Sequence, residues 1–206
     1  MNRNAYYENL KALAREKRQH HAINTASLGL REVRQIYKVE GIKIDHWPLP
    51  STIKAIYMCA DGYFSVAVQP KLPDEPKLFA LIHELKHHYT DQEIIRSGIV
   101  HCGDYNRNNL IEIGAEVFAA EFLYPEEEFQ NDILLLGIST WKAEDVVQLK
   151  RNCKAKVSCQ FLTKRLERLG VTSSGQFKGV KFKNLEDQLY GIPYYKQRYK
   201  KAAVSF

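Results

Sequence analysis

Leu78-Phe79-Ala80-Leu81-Ile82-His83-Glu84-Leu85-Lys86-His87-His88-Tyr89 is an apolar run carrying a glutamate and several histidines. Leu78, Phe79, Leu81, Ile82 and Leu85 cover most of a helical circumference, so this helix belongs in the core rather than on the surface. His83 and His87 are four residues apart, about 40° around a helix, and their rings emerge from one face a turn apart. A pair so placed can chelate one ion. A surface helix with solvated histidines would share the spacing, but not these neighbours.

Zinc suits two neutral imidazoles plus one carboxylate, with a further position left for a water whose pKa falls toward neutrality. Glu84, beside His83, is placed to take that water's proton. The third ligand has to come from another element, and the apolar run Asn106 to Leu123 offers Glu112, Glu116 and Glu121. Glu112 and Glu116 share a helical face, while Glu121 lies about 180° from Glu112. Glu112 is assigned as ligand and Glu116 as an acceptor that orients a ligand histidine; helical phase alone leaves the reverse assignment open.

Outward from these two helices, residues 5–19 and 28–40 have helical composition, and Gly41 supplies a stop. Ile42 to Trp47 reads as a strand, and Ile53 to Val68 as a hairpin turning at Asp61-Gly62. A small antiparallel sheet is expected. The proline-rich segment 70–76 is a loop with Asp74 as helix cap. An acidic helix follows from Glu126 to Leu136, then two helices between Trp141 and Leu169, the second capped by Ser158. The expected fold class is α+β, a small antiparallel sheet packed on a helical core.

The stretches LFALIHELKHHY and IEIGAEVFAAEFLYP together resemble the ImmA/IrrE family of gluzincin metallopeptidases. Glu112, Ala115, Glu116, Phe118, Ala119, Ala120, Leu123 and Pro125 occupy the places of that family's second-helix pattern. The resemblance implies a zincin-type core, Zn²⁺ as cofactor, His83, His87 and Glu112 as metal ligands, and Glu84 as the catalytic base. It implies a protein substrate, a helix-turn-helix repressor of a phage or mobile element. Lys86 and Glu116 depart from the residues common in the family, a small one and asparagine, and each bears on the charge around the cleft.

Downstream, Val157-Ser158, Leu162, Arg165-Leu166 and Leu169-Gly170 continue the resemblance as a helix-turn-helix-like pair. The expected organisation is a peptidase domain over residues 1–137, that pair over 138–172, and a basic, tyrosine-rich tail over 173–206. Packing against the peptidase unit is favoured over DNA binding for the pair, because the pattern supplies no base-reading side chains. From Gln176 to Phe206 seven basic residues face two acidic ones, which accounts for much of the net charge of +6.

The amino terminus is charged throughout and has no signal-peptide core, and Ile133 to Ile138 is far shorter than the roughly 20 residues that span a bilayer. A cytoplasmic protein with no membrane association is expected. Cys59, Cys102, Cys153 and Cys159 form no CxxC pair and read as reduced thiols, mostly buried. For the oxyanion, His88, Tyr89, His101 and Tyr124 are candidates by position, and the strand Tyr63 to Val68 is a candidate for pairing with an extended substrate. The competing expectation is a non-catalytic, metal-stabilised regulator that binds DNA or a protein partner.

Overall fold

The computed structural model describes residues 2–60, 62–97 and 109–191. The chain forms two compact units: Met1–Phe129 with Lys154–Val157, and Gln130–Cys153 with Ser158–Phe206. The architecture is mixed α and β, with one small three-stranded sheet among the described residues.

In the first unit, α1 (Arg3–His20) and α2 (Leu30–Val39) precede β1 (Ile42–His46), β2 (Ala55–Ala60) and β3 (Tyr63–Val68). Then come α3 (Asp74–Thr90), the short α4 (Gln92–Arg96) and α5 (Asn109–Leu123); α6 (Glu126–Leu136) begins in this unit and runs out of it. Helix α5 packs against both α1 and α3, and α3 also packs against α2 and the sheet. Every residue from Ala80 to His88 is buried, so α3 is the central element that its apolar periphery predicts. The Tyr37 hydroxyl on α2 donates to the Leu81 carbonyl on α3 at 2.7 Å, which satisfies a buried polar pair in the core.

The sheet corrects the expectation of an antiparallel arrangement. β2 and β3 form the expected antiparallel hairpin, but β1 lies parallel to β3, in the order β1-β3-β2. A tight turn obliges β2 and β3 to be neighbours, so the chain leaving β1 crosses the end of β3 before it enters β2. Trp47 N–H still donates to the Val68 carbonyl at 3.2 Å, and Gln69 N–H to the Lys54 carbonyl at 2.9 Å, which anchors that crossing. β3 is thus the central strand, paired on both sides, and cannot receive an extended peptide.

Two smaller expectations change. Pro73, not Asp74, is the N-cap of α3, and no side chain caps it; Asp74 and Glu75 lie in the first turn, where their charge complements the helix dipole. Of the three described cysteines only Cys159 is buried, and none is in a disulfide. Cys102, His101, Asp61 and the expected start of α5 at Asn106 lie outside the described residues, as does the tail beyond Gly191.

The second unit contains α7 (Ala143–Asn152), α8 (Cys159–Arg168) and α9 (Phe182–Tyr190), with α7 packed on both of the others. Val146, Leu149, Leu162 and Leu166 are buried, and the Ser158 side chain accepts from Phe161 N–H at 3.1 Å, the cap read from sequence. Helix α9 was not expected. No helix among the described residues is long and apolar enough to cross a membrane.

Candidate metal centre

His83 and His87 project from α3 toward Glu112 in the first turn of α5, and all three are buried. One donor atom from each lies within 4.8 Å of the others. His83 Nε2 is 3.1 Å from Glu112 Oε2 and 3.3 Å from His87 Nε2, and His87 Nε2 is 3.8 Å from Glu112 Oε1. Ligand atoms about 2.0–2.1 Å from a tetrahedral zinc are separated by about 3.3 Å. The spacing and the nitrogen, nitrogen, oxygen donor set therefore fit a small divalent ion of that kind.

Behind His87, Nδ1 lies 2.7 Å from Asp91 Oδ2. A carboxylate there accepts a hydrogen bond from Nδ1–H, which leaves Nε2 with its lone pair directed at His83 and Glu112. Asp91 also receives the Lys86 ammonium at 2.6 Å and the Thr90 hydroxyl at 3.0 Å. Burial works to raise the Asp91 carboxyl, but the His87 hydrogen bond and the Lys86 charge outweigh it and hold the group below the usual aspartate range. This acceptor was missed in the sequence, although Asp91 stands four residues after His87, on the same helical face.

Glu116, the residue expected behind a ligand histidine, is half-buried, and its negative charge adds to the field at His83. For His83, burial favours the neutral ring, yet Glu112, Glu84 and Glu116 together raise its pKa above the ordinary histidine value. Lys86 does not enter the cleft, as its sequence position allowed; it is fully buried.

Glu84 sits on the sheet side of α3. Its Oε2 accepts the Tyr57 backbone N–H at 2.9 Å, a bond made from the outer edge of β2. Burial is the main cause of a carboxyl pKa above the usual range, opposed by His83 and His87. A bound dication would work against that rise.

The described candidates for oxyanion stabilisation point elsewhere. The His88 ring meets the Tyr57 hydroxyl at 3.0 Å and Phe64 edge-on, and the Tyr89 hydroxyl donates to Glu40 at 2.9 Å. Tyr124 is buried against Phe129. The arrangement supplies three converging metal donors and an adjacent buried carboxylate bonded to β2.

A family profile described as IrrE N-terminal-like domain (Peptidase_M78) matches residues 40–167, which takes in the β-sheet, α3 and α5. A search of curated proteins finds no match.

Proposed function

This chain belongs to the IrrE N-terminal-like (Peptidase_M78) family, and on that premise we propose that it is a zinc-dependent endopeptidase acting on a protein substrate. The observation that carries this reading is the convergence of His83, His87 and Glu112 with Glu84 alongside. His83, His87 and Glu112 would hold Zn²⁺. Zinc, when bound, supplies a Lewis acid that polarises a carbonyl and lowers the pKa of water.

Glu84 is the catalytic base. Its Oε2 is committed to Tyr57 N–H, so Oε1 takes the proton of the attacking water and later delivers it to the leaving amine. The attack forms the new C–O bond, and collapse breaks the C–N bond. An extended substrate would pair along the side of β2 away from β3, with Tyr57 N–H kept by Glu84, and its scissile bond would then lie across α3.

Resemblance to the ImmA/IrrE group supports a helix-turn-helix repressor of a phage or mobile element as substrate, and such a target places the reaction in the cytoplasm. We assign proteolysis to residues 1–137. For the α7–α8 pair we favour packing over base reading, a reading supported by the burial of Val146, Val147, Leu149, Leu162 and Leu166, with Thr163 and Arg165 buried as well.

The test is incubation of the zinc-loaded protein with the repressor encoded beside it, followed by intact-mass analysis. Two fragments summing to the repressor plus one water are expected. An intact repressor, bound tightly without cleavage, would instead favour the non-catalytic regulator.

A further inference from the structure

Lys86 has no solvent exposure, although it stands in the middle of the helix that carries both histidines. A buried ammonium persists only when its protons are matched by acceptors. Lys86 Nζ donates to Asp91 Oδ2 at 2.6 Å and to the Ile111 carbonyl at 3.3 Å, and the Tyr6 ring of α1 lies 5.9 Å away. Asp91 Oδ2 is the same atom that receives His87 Nδ1. Ile111 is the residue immediately before Glu112. One cation therefore joins the support of His87 on α3 to the backbone that presents Glu112 on α5.

We propose that Lys86 and Asp91 are positioning residues for the metal: Asp91 fixes the tautomer and aim of His87, and Lys86 clamps that support to the chain at Glu112. The inference rests on the metal reading of the triad. It explains why a lysine stands where the cleft would not tolerate a free charge. Lys86 points away from the donors and neutralises Asp91 instead of opposing the cation. Thr90, which donates to Asp91 Oδ1, completes the restraint on the carboxylate.

The test uses the full chain and the variants Lys86→Met, Asp91→Ala and Asp91→Asn. Zn²⁺ affinity is read by competition with a chromophoric chelator, ligand geometry by the absorption spectrum of the Co²⁺ form, and fold by the urea midpoint without metal. Asp91→Ala and Lys86→Met should each weaken zinc binding by roughly 10–100-fold and alter the cobalt bands. Asp91→Asn, whose amide oxygen can still accept from Nδ1, should recover part of the loss.

A purely structural role would lower the urea midpoint and leave affinity and the cobalt spectrum as in wild type; that result overturns the proposal. Should Lys86→Met fail to fold, wild-type affinity in Asp91→Asn and Asp91→Ala overturns it equally. Failure of the wild type to take up zinc or cobalt is a different outcome, because it removes the metallopeptidase reading itself.

Discussion

Glu84 Oε2 accepts the backbone N–H of Tyr57 at 2.9 Å, so the glutamate between the two histidines is fastened to the edge strand of the sheet. The bond does two things at once. It satisfies one oxygen of a buried carboxylate, and it fixes the height of β2 over the donors on α3. A side chain held by its backbone neighbour loses little freedom when a reaction requires one geometry.

Glu84→Gln is therefore expected to preserve the site while removing the base. Glutamine is nearly isosteric, and its amide oxygen can keep the Tyr57 hydrogen bond. Zinc content should stay at about one per chain. Repressor cleavage should fall by roughly 10²–10⁴-fold, the usual contribution of a general base. Atomic-emission metal analysis alongside initial cleavage rates checks both halves, and full activity in the variant would end the assignment.

Glu112→Ala should act on the metal instead. Removing the only donor that α5 contributes leaves two imidazoles on one helix, and the metal loses its link between elements. Added zinc should stabilise the wild type by mass action, by about 4 kcal/mol when free metal exceeds Kd a thousandfold. That gain should largely vanish in the variant. Thermal unfolding with and without zinc reads it directly, and an undiminished zinc effect would move the third ligand to another residue.

What the sequence made legible was the part governed by local periodicity. The His83–His87 spacing, the buried α3, the shared face of Glu112 and Glu116, and the Ser158 cap all follow from residues within two turns of each other. What it hid depends on tertiary placement. Nothing local distinguishes a parallel from an antiparallel β1, since that depends on which side of β3 the crossing loop delivers the strand. Nor does the lysine at position 86 reveal on its own that it turns inward to Asp91. The His87–Asp91 contact was in principle readable, because residues four apart on a helix meet, but the second acceptor of Lys86, the Ile111 carbonyl, lies 25 positions from it. Helix α9 was missed because its mixed, basic surroundings carry only a short amphipathic signal.

Gly114 tests the packing that brings α5 into place. A Cβ there would meet Leu10 Cδ1 and the Tyr6 hydroxyl, each at 2.8 Å, and Tyr6 Cε1 at 2.9 Å, where α1 packs on α5. Alanine should be nearly neutral, because about 1 kcal/mol of helix propensity offsets a contact made with the movable ends of two side chains. Valine adds two methyl groups that cannot be accommodated the same way and should cost about 1–3 kcal/mol. Urea midpoints decide the matter; a Gly114→Val protein as stable as wild type would mean that α1 can lift from α5 freely.

His21 gives the protein a predictable response to acid. Its Nε2 lies 3.0 Å from Glu40 Oε1 and 3.3 Å from the Tyr89 hydroxyl, which itself donates to Glu40, so the cluster joins the ends of α1, α2 and α3. Burial lowers the pKa of the ring, and the charges of His20 and Lys17 add to that; together they outweigh the attraction of Glu40. The folded state therefore prefers the neutral ring more than the unfolded chain does. Stability from His21 is therefore complete above about pH 6.5 and is lost as pH falls from there through the depressed folded value. His21→Gln cannot take up that proton, so the stability gap between wild type and variant should narrow on acidification from pH 7.5 to pH 5, by at most about 1.4 kcal/mol per pH unit. Urea unfolding of both proteins in chelator across that range measures the gap, and a gap that widens toward low pH would reverse the assignment of the ring as neutral in the fold.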